Sequence, residues 1–292
     1  HNIKNLVTTS PPHSTQLIGL KLKSEFDLNW IADLRDPWTD IYYYNLMYHT
    51  SVAAAYDKKL ESRVLNSANH VVVVSHSIKK LFASKLGKGE EGKIHVIPNG
   101  YDESDFENRQ SSRNSAFIIT YTGTIADNYH VENFLNAAAQ LRSENIVLRF
   151  VGRVSDKYKD LIRYLKLENR TTYIDHVEHQ EAIKYMLSSD LLLLAIPDVA
   201  NNEGVLTGKL FEYLASGKKV IGIGPAQGDA AKIISACKAG QMFDYEEKDA
   251  VESFLREAFR NWEAGFHSSS NENLCREFSR KALTAAMAKL FV

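Results

Sequence analysis

The chain has 292 residues, 44% hydrophobic and 24% charged, with 35 basic against 36 acidic side chains and a net charge of −1. This is globular composition with room for two domains. It excludes a broad basic footprint for nucleic acid, a collagen-like or disordered chain and, with Cys237 and Cys275 as the cysteines, both a disulfide scaffold and a cysteine zinc site.

The longest apolar runs, such as 191–196, fall far short of the ~20 residues a membrane-spanning helix needs. No signal-peptide pattern opens the chain, and a cytoplasmic, reducing setting is the simplest reading. The first residues, His1-Asn2-Ile3, lack an initiator Met and read as those of a fragment or a processed product.

In chain order, the pattern predicts strands at 5–9, 29–34, 70–75, 93–97, 116–122, 146–152, 171–174, 190–195 and 219–223. The runs VVVV (71–74) and LLLL (191–194) do not alternate with polar residues, as expected of parallel strands covered on both faces. Helices are predicted between them at 14–24, 51–67, 75–86, 131–143, 155–167, 180–188, 208–216, 228–236 and 248–263, with a terminal helix at 272–291. Strand–helix alternation of this kind defines an α/β doubly wound fold. The polar stretch NRQSSRNS (108–115) marks a linker, and FHSSSN (266–271) a second, weaker break. The expected domains are therefore 1–112, 113–270 and a terminal helix segment, 271–292.

Three local signals carry chemistry. In LTGKLFEYLASG (206–217), Thr207 is a good N-cap and Gly217 a good residue after a helix C-terminus. The helix start would face an anion, Lys209 adds a cation, and Glu212 sits one turn further in, placed for sugar hydroxyls. A capped helix with a surface glutamate is the alternative. In IHVIPNGYD (94–102), a strand ends in a Pro–Asn–Gly turn whose Asn99 and Gly100 both tolerate positive φ. Such a turn lies on the edge of the sheet where α/β ligands bind. In YTGTI (121–125), Gly123 lets backbone approach a phosphate.

Together with VVVVS (71–75), LRFVG (148–152) and GKLFEYLASGKKVI (208–221), these segments resemble, in order and spacing, the family 4 retaining glycosyltransferases. The loop in NWIADLRDPWTD (29–40) resembles that of bacterial polysaccharide-assembly members. The resemblance implies a GT-B fold: two Rossmann-like domains facing across a cleft, the N-terminal one incomplete here. It implies a nucleoside-diphosphate sugar as donor, with UDP or GDP as the nucleotide. The acceptor it implies is a saccharide or lipid-linked saccharide. No cofactor is required, and no metal is expected.

By the same resemblance, Gly123, Thr124, Arg153, Leu206, Thr207, Gly208 and Glu212 would bind the nucleotide, Glu212 at its ribose. Lys209, Glu203 and Asp36 are the candidate catalytic residues, Lys209 for the leaving diphosphate. His13, Asp33, Arg35, Trp38 and Asn99 would face donor sugar or acceptor. An Asp33–Arg35 pair that merely fixes its loop is the alternative for that group. The terminal helix would cross back to the N-terminal domain.

The chain departs from the family pattern in three places. The first of the family's paired glutamates falls on Gly204, and Glu203 stands one residue off. Thr124 and Tyr129/His130 stand where many members carry Arg and Lys. The N-terminal half is shorter than the family's. A nucleotide-sugar-binding module without turnover, or an epimerase of the same architecture, are the alternatives. GIGPAQG (222–228) is a poor dinucleotide fingerprint, because Pro225 intrudes and no acid-ended strand follows. HVEH (176–179) lacks zinc-protease spacing and reads as a solvated loop. The aromatic cluster of Tyr42, Tyr43, Tyr44, Met47 and Tyr48, with Lys79, Lys80, Lys85 and Lys88, suggests peripheral contact with the inner face of a membrane, against plain packing as the alternative.

Overall fold

The computed structural model describes residues 3–107, 114–141, 145–266 and 272–292. Within these, β1 (Asn5–Ser10), α1 (Thr15–Glu25), β2 (Asn29–Leu34), α2 (Ser51–Ser67), β3 (His70–Val73), α3 (His76–Ala83) and β4 (Ile94–Val96) come first. They are followed by β5 (Phe117–Thr122), α4 (Glu132–Gln140), β6 (Ile146–Val151), α5 (Asp156–Tyr164), β7 (Thr171–Ile174), α6 (His179–Leu187) and β8 (Leu191–Ala195). The chain ends with α7 (Gly208–Ala215), β9 (Lys219–Ile223), α8 (Asp229–Ala236), β10 (Gly240–Phe243), α9 (Lys248–Glu263), α10 (Glu272–Cys275) and α11 (Arg280–Ala288).

The chain divides into two compact units. Unit 1 holds His1–Asn99, Gly204–Leu206 and Lys281–Val292; unit 2 holds Gly100–Glu203 and Thr207–Arg280. The linker expected at 108–115 lies outside the described residues up to 113, and the second break, expected at 266–271, lies outside them from 267 on.

Unit 1 carries a parallel sheet in the order β1-β2-β3-β4. Trp30, Ala32 and Leu34 of β2 and Val71 and Val73 of β3 are buried on one face; Ile31 and Val72 are buried on the other. Both faces are covered, which is why these strands read as unbroken apolar runs. The second face is closed by Leu290, with Leu283, Ala286 and Met287 packed against it. Burying a side chain such as Leu290 contributes roughly 1.5–3 kcal/mol. The same end is tied by polar bonds: Asn29 Nδ2 donates to Leu290 O at 2.8 Å, and Asn5 exchanges two bonds with the Val292 backbone at 3.0 and 3.1 Å.

Unit 2 carries a six-stranded parallel sheet in the order β10-β9-β8-β5-β6-β7. Every residue of β8 is buried. The nine expected strands are present. β10 was not anticipated: its four residues, GQMF, offer two buried apolar side chains and no periodicity. It enters through Gly240, at φ +152, where a Cβ would lie 1.8 Å from Val220 O.

The single terminal helix expected at 272–291 is a correction. It is broken after Cys275, passes through one tight turn, and resumes at Arg280. The backbone at the break is taken by another segment: Tyr101 N–H donates to Phe278 O at 3.2 Å, and Arg280 N–H donates to Tyr101 O at 2.9 Å. A helix could not lend out those groups and keep its own ladder.

Candidate functional site

In unit 2 the connections run outward in opposite directions from β5 and β8, which are neighbours in the sheet. In an open parallel sheet, the loops after two such strands make the crevice where ligands bind. Gly123 follows β5, and α7 follows the β8 loop.

Gly123 has φ +105, and its N–H donates to Val151 O at 2.7 Å. Gly152, at φ +120, lies against it: a Cβ there would be 2.3 Å from Gly123 O. The two glycines therefore let the loops after β5 and β6 touch. A Cβ on Gly123 itself would lie 2.9 Å from Lys209 Nζ. Glycine thus leaves the exposed Gly123–Thr124 turn open above a cation.

Lys209 Nζ donates to Tyr121 Oη at 2.7 Å and lies 4.2 Å from the centre of that ring. Tyr121 Oη in turn donates to Thr124 O at 2.8 Å. Burial pushes the Lys209 ammonium down to about 8, against the attraction of Glu212. α7 is tied to the end of β5 by Tyr213, whose hydroxyl accepts from Thr122 N–H at 3.0 Å. Thr207 stands at the N-cap with extended backbone, but its side chain makes no cap bond. Its Oγ1 is buried without a hydrogen-bond partner among the described residues. The expected capping by Thr207 is thereby corrected: the hydroxyl is unused. Gly217 behaves as expected, with φ +74 just past the helix.

Glu212 lies one turn into α7. Burial raises its carboxyl above the usual range, opposed first by His179 and reinforced by Asp105. His179 Nδ1 is 3.7 Å from Glu212 Oε1, and its Nε2 is 3.4 Å from Asp105 Oδ2. Gln180 Nε2 donates to Asp105 Oδ1 at 2.7 Å. Tyr121, Tyr213, Asp105 and His179 were all missed as site residues in the sequence. Leu206 is buried, Gly208 exposed, and Arg153 and Glu203 are exposed. Among the described residues no group of three or more His, Cys, Asp or Glu could hold a metal ion.

The residues singled out in unit 1 fall into two groups. Asp33 is buried and accepts from Thr9 Oγ1 at 2.9 Å and Arg35 Nε at 2.9 Å. Arg35 Nη1 also donates to Ile97 O at 3.1 Å, tying the loops after β2 and β4. His13 Nε2 is 3.1 Å from Asp36 O, and its ring stacks on Trp38 at 5.4 Å. Trp38 is only 7% exposed and belongs to the core. Burial raises the Asp36 carboxyl, against the pull of His13. Neither Asn99 nor Gly100 takes positive φ, so the expected turn there is instead a segment running on to the Tyr101–Ser279 bridge.

A Rossmann-type strand order with a lysine at the helix start beside its reversal defines a doubly wound α/β protein of the kind that takes ligands at its strand ends. Comparison with known proteins makes this specific. The model of "Glycosyltransferase Family 4" matches residues 13–105, and that of "Glycosyl transferases group 1" matches 102–274. The chain belongs to the group 1 glycosyl transferases and has the GT-B class of fold.

Among curated proteins it is similar to a putative teichuronic acid biosynthesis glycosyltransferase, TuaH, of Bacillus subtilis. That match is 26% identical over 176 residues, 56% of this chain and 43% of that protein. Among solved structures it is similar to a glycosyltransferase from Rickettsia africae, with TM-score 0.74 and 16% identity over 99% of this chain and 76% of that one. It is also similar to HepE of Anabaena in complex with UDP, with TM-score 0.72 and 14% identity over 98% of this chain and 78% of that one.

Proposed function

We propose that this protein is a retaining glycosyltransferase. It moves a sugar from a nucleoside-diphosphate sugar, with UDP as the first candidate nucleotide and GDP the second, to a saccharide or lipid-linked saccharide in surface polysaccharide or glycolipid assembly. The observation that carries the reading is what gathers at the strand reversal of unit 2: the Lys209 ammonium, bonded to a neutral phenol and not to a carboxylate, the unpartnered Thr207 hydroxyl, and the start of α7 with no side-chain cap.

Breaking a glycosyl–phosphate bond places negative charge on the leaving diphosphate, and aimed dipoles and a cation are what lower that barrier. Thr207, Gly208 and Lys209 supply them, with Gly123 and Thr124 as the backbone wall and Leu206 and Arg153 flanking it. Glu212 takes the ribose hydroxyls. Glu203 is proposed at the transferred sugar; within unit 1, Asp36 is proposed as a catalytic residue and the polar surface of His13, Arg35 and Asn99 for the acceptor. Asp33 and Trp38 support these rather than touch substrate, since both are buried in their own unit. The choice of nucleotide is supported by HepE, solved with UDP and with UDP-glucose. The setting is supported by the teichuronic acid enzyme.

Contact with the inner face of a membrane belongs to the same proposal. Tyr42, Leu46, Met47, Tyr48, Val52 and Tyr56 are exposed large apolar side chains within one short stretch. Tyrosine rings suit the headgroup layer, with an apolar body and a wet tip. Of the lysines expected to assist, Lys85 is spent in ion pairs with Asp40 and Glu61.

The test is thermal unfolding with UDP, GDP, ADP and NAD, in the native chain and in Glu212→Ala. A nucleotide at 100 times its dissociation constant stabilises by about 2.7 kcal/mol. A shift with UDP or GDP that disappears in Glu212→Ala is expected. A shift with NAD alone would overturn the reading. Release of free nucleotide from the sugar donor on adding acceptor then separates turnover from mere binding.

A further inference from the structure

The residues around Glu212 do more than neighbour it. Asp105, from the turn after Tyr101, and Glu212, on α7, both approach the ring of His179, the first residue of α6. Each ring nitrogen faces a different carboxylate, Nε2 at 3.4 Å from Asp105 and Nδ1 at 3.7 Å from Glu212. An imidazolium is the side chain that can donate from two opposed atoms of one rigid ring to two carboxylates. The second oxygen of Asp105 is clamped by Gln180 at 2.7 Å, so the Asp105 end is fixed and the ring is oriented from there.

The remaining charges near Glu212 are Arg280 and Lys209. Arg280 also lies 3.7 Å from Asp102. Lys209 is hydrogen-bonded to the Tyr121 phenol. Glu212 thus has His179, Arg280 and the lysine of the helix start as partners on offer. A Glu212 drawn to Lys209 would neutralise the cation that the diphosphate needs.

We propose that His179, oriented by Asp105, is a positioning residue that holds the Glu212 carboxylate toward the ribose and away from Lys209. The proposal rests on the nucleotide-sugar reading of the site. It gives a role to the HVEH segment that no metal chemistry claims.

The experiment is calorimetric binding of UDP, its 2′,3′-dideoxy analogue and inorganic pyrophosphate to the full chain, compared with His179→Asn, Asp105→Asn and Glu212→Gln. Glu212→Gln should abolish the preference for the ribonucleotide. His179→Asn should reduce that preference about fivefold and move the alkaline limit of UDP binding, set by Lys209, to higher pH as Glu212 turns to the lysine. Asp105→Asn should do the same more weakly. A purely structural neighbour would leave both the preference and the pH limit unchanged, and that result in a folded His179→Asn overturns the proposal.

Failure of the wild type to bind UDP, or full ribose preference in Glu212→Gln, would instead strike the nucleotide reading. The positioning contact is then decided without nucleotide, by carboxyl NMR of Glu212. With Lys209→Met introduced in both proteins, so that Glu212 has no lysine to turn to, its titration midpoint rises on His179→Asn if the contact holds and stays put if it does not.

Discussion

Unit 1 and unit 2 each gather charged side chains at the ends of parallel strands, but they treat them differently. In unit 1, Asp33 and Arg35 meet at 2.9 Å, and the arginine also binds Ile97 O. In unit 2, Lys209 is bonded to a neutral phenol, and Glu212 lies half-buried across from a histidine. One cluster pairs its charges with each other and fixes loops, leaving one Asp33 oxygen without a hydrogen bond among the described residues. The other holds a cation, a carboxylate and a hydroxyl at a cost, and leaves them for something else. Buried groups held away from their comfortable protonation states mark binding sites more often than scaffolds.

The comparison can be broken at four points. Gly152→Ala should do the most damage. Its Cβ would meet Gly123 O at 2.3 Å with backbone at φ +120, a strain of about 3–4 kcal/mol. Denaturant unfolding should show that loss together with loss of nucleotide binding.

Arg35→Leu leaves the buried Asp33 carboxylate without its cation. A cost of about 2 kcal/mol is expected, discounted from the fully buried case because Arg35 is partly exposed. Nucleotide binding should be unaffected.

Lys209→Met should move the other way, raising stability without ligand by about 1–2 kcal/mol at neutral pH, because a desolvated ammonium is removed. The native chain carries the matching signature. The folded value of Lys209 is about 8, below its unfolded value. The unfolded state therefore binds more protons between the two, and stability rises with pH across that window. The rise should vanish in Lys209→Met, while diphosphate affinity falls in the native chain as pH climbs through 8.

Thr207→Val is the smallest. The hydroxyl has no partner to lose, so stability should change by less than about 0.5 kcal/mol, while UDP affinity drops severalfold by calorimetry.

Much of the fold was legible because parallel strands covered on both faces leave unbroken apolar runs, as in β3 and β8. β10 was not, since two buried side chains in four residues carry no period. The terminal helix was misread as continuous because its pattern is helical on both sides of a break imposed by Tyr101, far away in the chain. Of the candidate site, Gly123, Lys209 and Glu212 could be proposed from order and spacing. Tyr213 and Asp105 could not. The first matters through a bond to Thr122, 91 residues earlier, and the second through His179, 74 residues later. No local pattern encodes a meeting of that separation.

The closing of unit 1 by Leu290 and Val292 has a consequence for synthesis on the ribosome. Asn5, Asn29 and the Ile31–Val72 face wait for partners that are translated only after unit 2. All of unit 2 emerges in between, and at bacterial-like elongation rates the wait is roughly 10–40 s. Unit 1 is therefore begun before unit 2 and completed after it, with an apolar sheet face open in the meantime. Stalling translation just before Lys281 should yield a nascent chain in which unit 2 resists protease and β1–β4 remain bait for chaperones.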